Sequence, residues 1–176
     1  MTQTERIEEL VQQVATELRR TNKRVVFAES CTAGQVSASL SAIPGISEFL
    51  CGSAVTYRNG TKAAWLGISS DLLDDPEVGP VSAIVAEQMC RGALDRTPEA
   101  DIAVSVTGHL GPGAPAGFDG LIFIGTVRRS PPLLTSIKSR LTDACGPGET
   151  LRRSRQWEAV ALVFSELLRL LREPST

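Results

Sequence analysis

The segment that most constrains this chain is a short apolar run that ends abruptly in polar residues. Residues 25–28 read Val-Val-Phe-Ala, and Glu29, Ser30, Cys31 and Thr32 follow at once. An apolar run without polar alternation is typical of a strand buried on both faces of a sheet. We therefore expect a strand over residues 24–28 and a helix of small residues over 32–42. A strand followed by a helix predicts an α/β fold with Ser30 at the strand's carboxyl end, where open α/β sheets bind ligands.

The rest of the chain alternates helical and strand patterns. Apolar residues recur at helical spacing over residues 4–21 and 150–172, which predicts an amphipathic first helix and a long last helix. Further helices are expected at 46–50, at 61–66, within 69–77, and from Pro80 onward with Ser82 as a candidate N-cap. Strands are expected at 51–57, 102–106, 121–128 and 133–141, the last two antiparallel. This order predicts a mixed sheet with helices on both faces, in a single domain spanning residues 1–176.

The composition argues against several classes of protein. The chain has 18 Lys and Arg against 20 Asp and Glu, so nothing predicts binding to nucleic acid or to an anionic membrane. Hydrophobic residues make up 42% and charged residues 22%, as in ordinary soluble domains. No apolar run approaches the roughly 18 residues that would indicate a membrane span. We expect a soluble protein, and the composition leaves a small anionic substrate open because the local arrangement of Lys and Arg decides that.

Cysteine usage indicates a reducing compartment. The four cysteines are widely separated and only one histidine, His109, is available to join them as a ligand, so neither a zinc site nor another metal site is expected. The first 20 residues are polar and charged at helical spacing, unlike a signal peptide. These observations favour a cytoplasmic location with reduced thiols.

Three polar loops, each after a predicted strand, carry the residues that could perform chemistry: 29–34, 57–62 and 107–113. A serine nucleophile needs a base. Lys62 could serve if burial lowered its pKa from about 10.4 toward 7–8, although a lysine in a first helical turn is often simply exposed. His109 could serve in a Ser-His-Asp arrangement, although its glycine-rich loop also suits a solvated histidine. Ser30 and Thr32 could also be plain helix caps.

Other candidates remain open at this stage. Cys31 could act as a thiol nucleophile beside Ser30, or could be a small buried side chain next to a tight turn. Arg152, Arg153 and Arg155 could reach the phosphate of a ligand from the start of the last helix, or could form a solvated basic face. The glycine-rich loop, residues 107–113, brings backbone N–H groups close to a ligand and would suit a ribose phosphate, together with the Thr107 hydroxyl.

Several motifs in register resemble one family. They are Ala28-Glu29-Ser30-Cys31-Thr32-x-Gly34, Val55-Thr56-Tyr57-x-Asn59-x-x-Lys62, Leu66-Gly67-Ile68, Gly79-x-Val81-Ser82 and Thr107-Gly108-x-x-Gly111-Pro112-Gly113. Together they resemble the CinA C-terminal domain family, the nicotinamide-nucleotide amidohydrolases. The resemblance runs from about residue 4 to residue 171. It implies a three-layer α/β/α sandwich that hydrolyses the carboxamide of nicotinamide mononucleotide to nicotinic acid mononucleotide and ammonia, in pyridine-nucleotide salvage.

The resemblance also implies roles for individual residues. Ser30 would be the nucleophile, Lys62 the base, and Tyr57 a pocket residue that orients the pair or the amide. Substrate-binding residues would lie in the same three loops and at the start of the last helix: Glu29, Cys31, Thr32, Gly34, Asn59, Thr107, Gly108, Gly111, Gly113 and Arg152. The family implies a homodimer with no metal and no cofactor. Physically, the N–H groups of Cys31 and Thr32 could bind the oxyanion of such a reaction.

The chain departs from the family pattern at four places. Ala33 stands where a second glycine is usual, which we interpret as a minor change at a helix start. Residues 58–62 read Arg-Asn-Gly-Thr-Lys, residues 114–120 contain fewer glycines than usual, and residues 146–148 read Gly-Pro-Gly where an arginine is expected. These changes bear on phosphate recognition more than on Ser30 and Lys62. They leave two alternatives open: a different amide substrate, or a non-catalytic module that binds a nucleotide or a protein partner.

Overall fold

The structure is a computed structural model that describes residues 3–145 and 148–173. Its strands are β1 (Val25–Glu29), β2 (Leu50–Val55), β3 (Ile102–Gly108), β4 (Leu121–Arg128) and β5 (Leu133–Arg140). They form one five-stranded sheet in the order β2-β1-β3-β4-β5. β1 is parallel to β2 and to β3, whereas β4 is antiparallel to β3 and to β5. The predicted mixed sheet is therefore confirmed.

Helices cover both faces of this sheet. They are α1 (Gln3–Thr21), α2 (Gln35–Ser41), α3 (Asn59–Leu66), α4 (Ser70–Asp74), α5 (Ala83–Asp95) and α6 (Leu151–Arg172), with a 3-10 helix at Ile46–Glu48. Buried residues of α1, α2 and α6 form one core with the sheet, and those of α3, α4 and α5 form a second core on the opposite face. This is the three-layer α/β/α sandwich that the resemblance implies.

The central strand β1 contributes to both cores. Val25 and Phe27 point into the core beneath α1, α2 and α6, while Val26 and Ala28 point into the core beneath α5. The Phe27 ring contacts Phe164 of α6 edge-on, with ring centroids 6.4 Å apart. Burial on both faces explains the uninterrupted apolar run in the sequence. It also holds the carboxyl end of β1 firmly in the middle of the sheet.

The helix expected at 32–42 begins three residues late. Residues 31–34 form a turn in which Ala33 has φ 52° and Gly34 has φ 92°, both in the left-handed region. A helix cannot include such residues, so α2 starts only at Gln35. The interpretation of Ala33 as a residue at a helix start is thus wrong. Ala33 lies inside the turn that follows the candidate nucleophile.

The remaining elements lie close to their predicted positions. Pro80 does not open α5, which begins at Ala83 behind the predicted N-cap Ser82, whose Oγ accepts the Val85 N–H at 3.4 Å. α3 begins two residues earlier than expected, and β2 ends at Val55, so Tyr57 lies beyond the strand. Residues 146 and 147 of the departure at 146–148 lie outside the described residues. None of the helices within 3–145 and 148–173 has the length and apolar character to cross a membrane.

Candidate active site

The three polar loops meet at the carboxyl ends of β1, β2 and β3. They enclose a pocket of about 250 Å³ whose lining includes residues from each loop and from the start of α6. The lining residues are Ser30, Cys31, Tyr57, Asn59, Lys62, Pro80, Val81, Thr107, Gly108, His109, Leu110, Gly111, Pro112, Gly113, Ala114 and Arg152. Because β1 is parallel to both neighbours, these three ends share one edge of the sheet. The convergence expected from the sequence is present.

Ser30 and Lys62 form a direct hydrogen bond in this pocket. Lys62 Nζ lies 2.9 Å from Ser30 Oγ and donates a second bond to the Thr56 carbonyl at 3.0 Å. Lys62 is only 2% exposed and Ser30 only 7%. The exposed first-turn lysine considered from sequence is therefore not what the structure shows. The turn of α3 that carries Lys62 points its side chain across the sheet edge toward β1.

Burial changes the acid–base behaviour of Lys62. Desolvation of its ammonium group lowers the pKa of Lys62 from 10.5 to about 8. About a tenth of the molecules thus carry a neutral Lys62 amine at pH 7, and its lone pair can accept the Ser30 hydroxyl proton. The contact and the lowered pKa together meet the requirements for a serine nucleophile with a lysine base.

Neither alternative takes the place of Ser30 or Lys62, Cys31 because its thiol stays protonated and His109 because, in the part of the chain that the structure describes, it is not hydrogen-bonded to Ser30. Cys31 is buried, and desolvation raises the pKa of its thiol to about 12, so almost no thiolate forms at neutral pH. His109 lines the pocket with its ring edge-on to Phe118, and burial lowers the pKa of its imidazole. Within the described residues no hydrogen bond joins His109 to Ser30.

The backbone N–H groups of Cys31 and Thr32, beside Ser30, have no acceptor in the described part of the chain, whereas the Ser30 N–H donates to the Val106 carbonyl at 3.0 Å and the Ala33 N–H to the Ser30 carbonyl at 3.0 Å. Cys31 lines the pocket, but Thr32 is fully buried and does not, so the Cys31 N–H is the one placed beside a ligand in the pocket. Free N–H groups next to a nucleophile can stabilise a developing oxyanion. The turn rather than a helix N-terminus supplies them.

Glu29, Thr32 and Gly34 do not line the pocket, contrary to the expectation that they bind substrate. The Glu29 carboxylate is buried and accepts the Thr32 hydroxyl at 2.8 Å and the Gly34 N–H at 3.0 Å. Its oxygens are saturated by protein donors, so the carboxylate is not free to bind a ligand. These three residues shape the turn from beneath it.

Arg152 reaches the mouth of the pocket. Its guanidinium donates to the Gly111 carbonyl at 2.9 Å and to the Tyr57 hydroxyl at 2.9 Å. Tyr57 therefore contacts Arg152 across the opening, and its side chain is 55% exposed. Asn59 lines the same pocket, and its amide donates to the Leu73 carbonyl at 3.5 Å.

The other two arginines at the start of α6 do not face a ligand. Arg153 stacks on Trp157, 4.4 Å from the ring centroid. Arg155 is buried and donates to the Leu110 carbonyl at 3.0 Å and to Asp119 at 2.9 Å, and this hydrogen bond lowers the pKa of Asp119. Arg155 is thus neither a phosphate ligand nor part of a solvated basic face. It fixes the glycine-rich loop from its inner side.

The glycine-rich loop presents backbone rather than hydroxyl groups to the pocket. Gly108, Gly111 and Gly113 all line it, and the latter two have φ of 66° and 85°. The Thr107 hydroxyl, however, donates to the Pro80 carbonyl at 2.8 Å, so its proton is not available to a phosphate. A Cβ at Gly111 would lie 2.2 Å from Asp119 Oδ1, which explains the glycine there.

The sequence analysis gives no site role to five apolar lining residues, although Leu110 and Pro112 lie in the loop 107–113 that it names. Pro80, Val81, Leu110, Pro112 and Ala114 give the pocket its apolar surface. Pro80 and Val81 were assigned to a helix, and only the N-cap signal at Ser82 indicates that they precede it. Among the described residues there is no group of three or more His, Cys, Asp and Glu side chains that could hold a metal ion.

Fold and pocket together define the class of protein: an α/β/α domain with a buried serine–lysine pair at the carboxyl edge of its parallel strands. Within that class, the chain belongs to the CinA C-terminal domain family, whose model matches residues 7–156. A CinA-like protein of Geobacter metallireducens is 44% identical over 113 residues, which are 63% of this chain and 27% of that protein. One of Prochlorococcus marinus is 46% identical over 96 residues, 54% of this chain and 22% of that protein.

Solved structures agree with this assignment. The competence/damage inducible protein CihA from Agrobacterium tumefaciens superposes with a TM-score of 0.84 at 32% identity, covering 96% of each chain. A CinA superfamily protein from Escherichia coli gives a TM-score of 0.82 at 26% identity, covering 97% of this chain and 93% of that one. The chain spans about a quarter of the length of the curated relatives it matches, at 27% and 22%.

Proposed function

We propose that this domain is an amidohydrolase that converts nicotinamide mononucleotide to nicotinic acid mononucleotide and ammonia, in cytoplasmic pyridine-nucleotide salvage. The observation that carries the proposal is the 2.9 Å contact between Ser30 Oγ and Lys62 Nζ in a buried pocket. A pKa of about 8 for Lys62 supports its role as the base. The family resemblance indicates the substrate, and the Ser30–Lys62 contact supports a serine nucleophile with a lysine base.

The first half-reaction acylates Ser30. Neutral Lys62 accepts the hydroxyl proton while Ser30 Oγ attacks the carboxamide carbon, and the oxygen of the tetrahedral intermediate accepts a bond from the N–H group of Cys31. The C–N bond then breaks, and the Lys62 ammonium returns its proton to the departing nitrogen, which leaves as ammonia. An acyl ester on Ser30 remains.

The second half-reaction releases the acid. Water attacks the ester carbon as Lys62 accepts one of its protons, and the ester C–O bond breaks while that proton returns to Ser30 Oγ. The product is the pyridine carboxylate, and the released carboxylic proton passes to solvent. No metal is required, since Lys62 carries the proton in both steps.

We place the nucleotide part of the substrate at the mouth of the pocket. The guanidinium of Arg152 and the backbone of the glycine-rich loop lie at the opening and would bind the ribose phosphate. The apolar surface formed by Val81 and Leu110 would accommodate the pyridine ring.

We also propose a homodimer, which multi-angle light scattering at two protein concentrations would test.

The deciding experiment measures ammonia release from nicotinamide mononucleotide. The intact protein should turn over, and Ser30→Ala and Lys62→Ala should each lose at least about 10³-fold in kcat, because residues that act as a unit fail together. Ser41→Ala and Lys138→Ala, which lie away from the pocket, are matched controls that keep full activity. An intact protein that binds the nucleotide without releasing ammonia contradicts the proposed reaction and favours a different amide or a binding module.

A further inference from the structure

We propose that Glu29 is a positioning residue, which acts through the turn at residues 30–34 to keep Ser30 aimed at Lys62 and the neighbouring Cys31 N–H free for the oxyanion. The inference rests on the proposed function, since it assumes that Ser30 is the nucleophile. Glu29 does not line the pocket, and thus it touches neither substrate nor reacting atoms. Its effect has to pass through the backbone that it holds.

The Glu29 carboxylate is bound by an unusually complete set of donors. It is 1% exposed, and its two oxygens accept six hydrogen bonds from the protein. The donors to Oε2 are Thr32 Oγ1 at 2.8 Å, Gly34 N at 3.0 Å and Val36 N at 3.0 Å, and those to Oε1 are Ser37 N, Ser37 Oγ and Ser53 Oγ, each at 3.0 Å. Every donor except Ser53 belongs to the turn or to the start of α2.

This arrangement divides the N–H groups of the turn into two sets. Glu29 accepts the N–H of Gly34 in the turn and that of Val36 just beyond it in α2, whereas those of Cys31 and Thr32 stay without an acceptor in the described chain. The buried carboxylate thus fixes which amides of this segment are taken up, and the amide of pocket-lining Cys31 is among those left without an acceptor. The turn also contains left-handed Ala33, which the surrounding bonds must hold in place.

The backbone of Glu29 connects to the base as well. Its carbonyl accepts the Thr56 N–H at 2.8 Å, and the Thr56 carbonyl accepts Lys62 Nζ at 3.0 Å. One residue is therefore bonded both to the turn that carries the nucleophile and to the segment that orients the base. The side chain itself also reaches β2, since its Oε1 accepts the Ser53 hydroxyl at 3.0 Å, and this side-chain link distinguishes Glu29 from an ordinary helix cap.

Glu29→Gln is the informative change, because an amide keeps the shape but offers one acceptor and one donor group. On the Oε1 side the two serine hydroxyls can rotate to accept from the new NH₂ group, and only the Ser37 N–H loses its acceptor. On the Oε2 side two backbone N–H groups would lose theirs. The glutamine should therefore turn its NH₂ toward Ser37 and Ser53, and the protein should fold with a loosened turn.

The test compares kcat, KM and thermal stability of Glu29→Gln with those of Met89→Ala, which removes a buried side chain from the opposite core. We expect kcat of Glu29→Gln to fall about 10²-fold with KM within about twofold, as misplacement of reacting groups does. The midpoint in pH should stay near 8, because Glu29 does not contact Lys62. Met89→Ala should lower Tm and keep kcat at temperatures where it is folded. If Glu29→Gln behaves like Met89→Ala, the proposal is wrong.

A second readout separates this proposal from the choice of substrate. A fluorophosphonate probe bonds its phosphorus to Ser30 Oγ, fluoride leaves, and the hydroxyl proton passes to Lys62. We expect wild type to be labelled, Ser30→Ala not, and Glu29→Gln roughly 10²-fold more slowly. Labelling without ammonia release would overturn the nicotinamide substrate while the rate ratio still decides the role of Glu29. A wild type inert in both assays would overturn both proposals.

Discussion

Lys62 sets the pH range in which the proposed hydrolysis can run. Only the neutral amine can accept the Ser30 proton, and burial lowers the pKa of Lys62 to about 8. We therefore expect kcat/KM for ammonia release to rise about tenfold per pH unit below 8 and to level off above it. Initial rates between pH 6 and 10 would measure this. A midpoint of the pH–rate profile near 10.5 would contradict the desolvation of Lys62. Lys62→Arg should be inactive over the whole pH range, since arginine keeps its proton.

Ala33 holds a backbone conformation that favours glycine. Its φ of 52° is left-handed, a region that costs an alanine on the order of 1 kcal/mol relative to glycine. Ala33→Gly should thus raise the free energy of unfolding by up to about 1 kcal/mol, less the entropy gained by the unfolded chain. Urea denaturation would measure it. Gly34→Ala is the matched control and should destabilise, because Gly34 has φ 92°; if Ala33→Gly also destabilises, the turn is not strained as described.

For single residues, the sequence predicts the reacting side chains better than the side chains that hold them in position. Ser30 and Lys62 follow from loops placed after predicted strands, and the structure joins them. The occupied carboxylate of Glu29 and the buried guanidinium of Arg155 depend on partners far along the chain, such as Ser53 and Leu110. No local pattern reveals such partners, so the sequence indicates substrate binding for Glu29 and leaves Arg155 open between a phosphate contact and a solvated face.

Helix α5 packs closely against α3, and a glycine at the contact makes this close packing possible because it has no side chain. A Cβ at Gly92 would lie 2.2 Å from the Leu66 carbonyl oxygen of α3. Gly92→Ala must push the two helices apart, so we expect it to destabilise by about 1–3 kcal/mol, as overpacking does. Gly60→Ala is the control: its Cβ would meet nothing within 4 Å, and alanine should stabilise α3 by up to about 1 kcal/mol. Urea denaturation of both variants would show opposite signs; equal effects would contradict this packing.

Element types were predictable because apolar periodicity is local, whereas some boundaries were not. The long helices α1 and α6 and the hairpin of β4 and β5 lie within a residue or so of their expected limits. α2 and α5 begin late, for separate reasons: left-handed residues delay α2, and the capping serine delays α5. The strand order is set by long-range pairing and could not be read from the chain itself.

Across the whole molecule, the two cores share the same strands, so neither helical layer should unfold alone. Adjacent residues of β1 alternate between the cores, and loss of either layer would expose one face of that strand to water. Each layer carries one tryptophan: Trp157 on α6 and Trp65 on α3. Trp65→Phe leaves Trp157 as the fluorescent reporter, and Trp157→Phe leaves Trp65. In urea unfolding of each variant, we expect the midpoint measured by fluorescence to equal the midpoint measured by circular dichroism. A fluorescence midpoint that departs from the circular dichroism midpoint of its own variant would mean that the layers unfold separately and that residues 1–176 do not form one cooperative domain.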